Sequence, residues 1–87
     1  MRHTVDIDTK AAREIRALRR QEQVRIMAKI EALAENPRQM GSSKLSGESG
    51  LWRIRSGVYR IIYQIQDARL LITVVKVGHR REVYRGM

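Results

Sequence analysis

Apolar positions change period twice along this chain. Residues 2–7 end in an alternation, with Val5 and Ile7 on one side of Thr4 and Asp6, which predicts a short strand. Asp8 or Thr9 then stands where a helix cap is needed, and Ala11, Ala12, Ile15 and Leu18 recur at helical spacing. Arg19, Arg20 and Gln21 interrupt that pattern. A second helical set follows: Val24, Ile26, Met27, Ile30, Leu33 and Ala34. Asn36-Pro37 stops it, because the proline ring disfavours helical geometry in the residue before it. The pattern predicts an αα-hairpin whose apolar stripe needs a cover.

Residues 38–50 are rich in Gly and Ser and predict a loop. Leu51 to Arg55 alternates, with Trp52 and Ile54 on one face and Arg53 and Arg55 on the other. Ser56-Gly57 is a tight-turn signal. Val58 to Ile65 puts Tyr59, Ile61, Tyr63 and Ile65 on one face and Val58, Arg60, Ile62 and Gln64 on the other. After a turn at residues 66–69, Leu70 to Val77 is a nearly continuous apolar run, the pattern of a buried central strand, which Gly78 is expected to end. The tail from His79 to Met87 is short, polar and basic. The order β-α-α-β-β-β predicts an α+β fold. The helical hairpin packs on one face of a small, mostly antiparallel sheet, in one domain spanning residues 1–87. The other sheet face is left partly open.

Charge says what that open face is for. The formal net charge is +9, and fourteen of the eighteen basic residues are Arg. Arg presents a rigid donor fork that matches phosphate two bonds at a time. Residues 44–87 hold nine basic groups against three acidic ones, so the excess concentrates where the sheet is expected. A polyanion partner is the reading that fits, nucleic acid first. There is no cysteine, which fits a reducing cytoplasm. No apolar run approaches the roughly 18–20 residues of a membrane span, so no membrane partner is expected.

The candidate chemistry follows from what is present and what is missing. The two histidines, His3 and His79, stand far apart, and Glu48, Asp67 and Glu82 form no obvious pair, so no metal and no cofactor is expected. RNA offers a route without one, because its 2′-hydroxyl is a built-in nucleophile. An enzyme then supplies cations for the developing charge and groups that move protons. Arg53, Arg55, Arg60 and Arg80 can supply the first, and Tyr84 and His79 the second.

At these residues the chain resembles a known family. Lys44 to Gly47, then Arg53-Ile-Arg55-Ser-Gly-Val-Tyr59-Arg60-Ile-Ile-Tyr63, then Val77-Gly-His79-Arg80-Arg81-Glu82-Val83-Tyr84 are similar to the signature of RelE-type toxins of type II toxin–antitoxin systems. That resemblance implies an mRNA endoribonuclease that acts on message in the ribosome, without metal, leaving a 2′,3′-cyclic phosphate and a 5′-hydroxyl. It also implies a RelB-like antitoxin partner and contact with ribosomal RNA. Arg60 and Arg80 fall where the family places phosphate-stabilising arginines, and Tyr84 where it places a C-terminal catalytic tyrosine. Lys44 matches a loop lysine expected to touch RNA. Arg53 and Arg55 stand where well-studied members carry two lysines. A guanidinium hardly serves as a base, so the proton acceptor becomes His79 or Tyr84, and Arg53, Arg55 and Arg81 bind substrate.

Plainer readings stand beside these. Arg53 and Arg55 also fit a solvated strand face, and Arg60 also fits an internal pair with Asp67 or Glu82. Two other functions compete: a ParE-like inhibitor of DNA gyrase with no nuclease activity, and a general basic RNA-binding module.

Overall fold

The computed structural model describes residues 2–45 and 50–85. Strand β1 (Thr4–Ile7) ends at Asp8, whose carboxylate accepts the backbone N–H of Lys10 at 2.9 Å and so caps helix α1 (Thr9–Arg16). Ala11 and Ile15 form its buried face. The chain bends at residues 17–19, where the Gln23 side-chain amide donates to the Leu18 carbonyl at 2.8 Å and satisfies an acceptor freed by the bend. Helix α2 (Arg20–Glu35) buries Ile26, Ile30, Leu33 and Ala34. Val24 and Met27, expected in the same stripe, are exposed at 57% and 39%. They lie off the Ile26–Ile30–Leu33 line, on a flank the sheet does not cover.

Four more strands complete the sheet: β2 (Ser43–Lys44), β3 (Leu51–Ser56), β4 (Tyr59–Gln66) and β5 (Leu71–His79). Their spatial order is β1-β5-β4-β3-β2, with β1 parallel to β5 and every other pairing antiparallel. The helices cover one face. Between the layers, Ile26, Ile30 and Leu33 meet Ile54, Ile61, Tyr63 and Ile72, all essentially inaccessible. Each such aliphatic side chain contributes roughly 1.5–3 kcal/mol by its burial.

The architecture is the α+β arrangement the pattern predicts, with three local corrections. First, the stretch read as a loop contains β2, two residues too short and too polar to leave a periodic trace; Ser46 and Gly47 of the same stretch lie outside the described residues. Second, the apolar run from Leu70 to Val77 does form an inner strand, β5, flanked by β1 and β4, but the exact middle is β4, because the unforeseen β2 adds a fifth strand beyond β3. Third, β5 does not stop at Gly78. It continues to His79, and the Arg80 N–H extends the ladder to the Val58 carbonyl at 2.7 Å. Gly78 instead lies under Val83, whose chain folds back over the sheet; a Cβ at Gly78 would meet it at 3.4 Å, ordinary van der Waals contact. The Glu82 and Val83 N–H groups both donate to the His79 carbonyl, closing a terminal turn. Val83 is fully buried, as is Ile62 of β4, and both stand outside the main core. The tail therefore docks on the open face instead of trailing from it.

Candidate nucleic-acid site

Strand pairing decides which cations meet. In the β3–β4 register Arg55 faces Arg60 and Arg53 faces Ile62, while Arg60 faces Gly78 of β5. Arg53, Arg55 and Arg60 therefore share the face that the helices leave open. With Gly41 and Ser43 they line a recess of about 90 Å³. That is room for several waters, or for one anion of phosphate size.

Tyr84 closes one side of this group. Its phenol oxygen accepts Nη1 of Arg53 at 2.8 Å, and the Nε–H of the same guanidinium donates to Ser43 Oγ at 2.9 Å. Arg60 donates to the carbonyls of Tyr59 at 3.0 Å and Gly57 at 3.4 Å. Its guanidinium is held below its ordinary value, first by partial burial and then by Arg55, Arg53 and Arg80, with Tyr84 opposing. It stays charged at neutral pH, as guanidinium groups do. Among the described residues, none of Arg53, Arg55, Arg60 or Arg80 pairs with a carboxylate. The internal pair for Arg60 is not formed with Asp67, which takes Arg38, and Glu82 is in no ion pair with a described residue. Like charges held together without counter-charge are repulsive until an anion arrives.

The recess has a braced rim. Fully buried Tyr63 donates its O–H to the Pro37 carbonyl at 2.7 Å. Burial pushes that phenol up, with Ser42 and Arg38 opposing. Arg38 lies 5.3 Å above the Trp52 ring and grips Asp67 with two bonds of 2.7 and 3.2 Å. Ser42 then turns the chain by bonding the Gln39 carbonyl at 2.7 Å, and β2 begins.

Of the residues singled out from sequence, Arg53, Arg55, Arg60, Arg80 and Tyr84 converge. His79 does not join them. It pairs with Tyr59 on the helix-facing side, edge-on at 6.1 Å, and its Nδ1 accepts the Arg81 N–H at 3.1 Å. Lys44 faces Trp52 in register, so it too belongs to the side away from the recess. Arg81 is exposed on the terminal turn. Two contributors were given no role from the sequence. Ser43 depends on the unforeseen β2, and Val83 is a lone valine in a basic tail. Among the described residues no three of His, Cys, Asp and Glu approach closely enough to hold a metal ion, and no helix is long and apolar enough to cross a membrane.

Fold and site together define a small basic α+β protein with an arginine-rich sheet face. The family model for the ParE toxin of type II toxin–antitoxin systems matches residues 5–84. The mRNA interferase toxin RelE of Escherichia coli K12 is 33% identical over 88 residues, covering 97% of this chain and 92% of that protein. Toxin RelG of Mycobacterium tuberculosis is 29% identical, covering 98% and 99%. In solved structures, the fold matches the toxin–antitoxin complex RelBE2 of M. tuberculosis with a TM-score of 0.81 at 26% identity, covering 92% of this chain and 100% of that one. It matches the intact E. coli RelBE complex with a TM-score of 0.76 at 30% identity, covering 88% and 95%. The chain belongs to the RelE/ParE toxin superfamily and is of the RelE type.

Proposed function

We propose that this protein is the toxin of a type II toxin–antitoxin pair and that it cuts messenger RNA by attack of the 2′-hydroxyl on the adjacent phosphorus. The P–O5′ bond breaks as the 2′-oxygen bond forms, leaving a 2′,3′-cyclic phosphate and a 5′-hydroxyl. One proton leaves the 2′-hydroxyl and one reaches the departing 5′-oxygen. The observation that carries this reading is the convergence of Arg53, Arg55 and Arg60 around one recess, with the charge of Arg80 acting on Arg60, without a described carboxylate, beside the phenol of Tyr84.

In that recess Arg55 and Arg60 hold the scissile phosphate, and Arg80 beside it adds to the stabilisation of the charge that builds on it. Tyr84 is the group placed to handle a proton at the reacting oxygens. His79 is not assigned a part in the chemistry, since its ring lies against Tyr59. Lys44 and Arg81, set apart from the recess, are assigned to the flanking nucleic acid. The message is taken in the ribosome, where the exposed Lys10, Arg13 and Arg16 of α1 meet ribosomal RNA. A RelB-like antitoxin is the partner, as in the RelB–RelE complexes to which the fold is similar. Exposed Val24 and Met27 on α2 are apolar ground for it.

Translation in a cell-free extract tests this. Message cut within codons, with cleavage lost in Arg80→Ala and Tyr84→Phe, is the expected result. Intact message together with inhibited DNA supercoiling would replace it with the gyrase reading, and salt-sensitive RNA binding with no product would replace it with simple binding.

A further inference from the structure

We infer that Ser43 is a positioning residue for cleavage, acting on the phenol of Tyr84 through Arg53; this inference rests on the nuclease reading above. Ser43 stands directly opposite Arg53 in the β2–β3 register, the separation at which cross-strand side chains touch. Its Oγ takes the Nε–H at 2.9 Å, and Nη1 of the same guanidinium reaches Tyr84 at 2.8 Å. A guanidinium is planar, with its N–H groups at fixed angles. Anchored at one nitrogen, it swings about its stem. Anchored at Nε and Nη1, its plane is set, and so is the place where a phenol can meet it.

Tyr84 needs such an external guide. It lies on the terminal turn and is 40% exposed, and its hydroxyl has no hydrogen-bond partner other than Arg53 among the described residues. Val83 fixes the neighbouring backbone but not the ring. Because the phenol oxygen accepts from Arg53, its own O–H is left to donate to a third group. Ser43 is in the same position, with its oxygen used as an acceptor and its O–H still available at the rim of the recess.

Ser43 is also presented from a rigid base. The chain reaching it is tied to the core at Pro37 by Tyr63 and turned by the Ser42–Gln39 bond. Two hydrogen bonds thus connect three segments that are distant in sequence: the edge strand, the hairpin and the tail. The device depends on arginine at position 53. An ammonium group has three N–H donors on one rotating nitrogen and no plane to fix, so a lysine there would leave Ser43 without this orienting role.

The test is single-turnover cleavage of message on programmed ribosomes by the full chain, with a double-mutant cycle. S43A is expected to lower the cleavage rate about tenfold with the half-saturating ribosome concentration unchanged, and S43T, which keeps the hydroxyl, to restore it. In a Y84F background S43A is expected to change the rate by less than about twofold, since its target is already gone. R53K supplies an independent route: it should reproduce the S43A loss and make S43A silent. Additive losses in the double variants, a wild-type rate for S43A, or a change confined to half-saturation would each overturn the inference while leaving the nuclease reading intact. A wild-type protein that cuts nothing overturns the nuclease reading and this inference with it.

Discussion

Arg60→Gln separates the electrostatic load of the arginine face from its use. Glutamine keeps most of the stem and an amide that can still donate to the Tyr59 carbonyl, but it removes the charge. Arg60 faces Arg55 directly, and Arg53 and Arg80 also act on it. Two unit charges about 7 Å apart in water repel by about 0.6 kcal/mol, and salt with a Debye length of about 8 Å removes more than half of that. With three like-charged neighbours, the relief at low salt is on the order of 0.5–1 kcal/mol. For a domain of this size that raises the melting temperature by roughly 2–8 °C. Removing one donor to the developing phosphate charge should at the same time slow cleavage about 10²–10³-fold. The assay is a pair of thermal melts, at about 20 mM and about 1 M salt, alongside cleavage on ribosomes. A gain in stability at low salt that shrinks at high salt, with activity lost, is the expected pattern. A melting temperature that stays level or falls at low salt would refute the reasoning, since Arg60 would then be satisfied within the protein.

Three other outcomes follow from named contacts. Tyr63→Phe leaves the Pro37 carbonyl without its donor inside the protein and should cost about 1–3 kcal/mol, read as a lowered denaturant midpoint with an unchanged slope. Arg38 holds the Asp67 carboxyl below the usual carboxylate range, with His3 adding to the effect. The stabilisation is therefore complete above the ordinary value of about 3.9 and is lost as pH falls through the lower folded value. Asp67→Asn should accordingly flatten the acid limb of the stability profile, and an unchanged limb would show that the pair contributes nothing. His79→Asn keeps an acceptor for the Arg81 N–H and discards the imidazole. Its cleavage rate should stay near wild type, far from the roughly 10²–10⁴-fold loss that follows removal of a general acid or base.

Alternation alone placed Arg53, Arg55 and Arg60 on one face and Ile54, Ile61 and Tyr63 on the other, and the β3–β4 register agrees. Strand periodicity is local, so it survives without knowledge of what packs above. The resemblance of three separated segments pointed to the family to which the chain belongs. His79 lies apart from the arginines for an equally physical reason. Its residue type suits proton transfer, but one step along a strand reverses the face, and Gly78 rather than His79 lies opposite Arg60.

Local pattern therefore determined the helical hairpin, the hairpin of β3 and β4, the sign of the surface and the identity of its arginines. Tertiary structure alone decided the rest. It made β4 the middle strand, drew Ser43 onto the edge, and laid Val83 over Gly78 so that Tyr84 arrives beside Arg53. Those placements depend on contacts between residues tens of positions apart. A two-residue strand or a single buried valine carries no period, so only the closing of the sheet and the docking of the tail specify them.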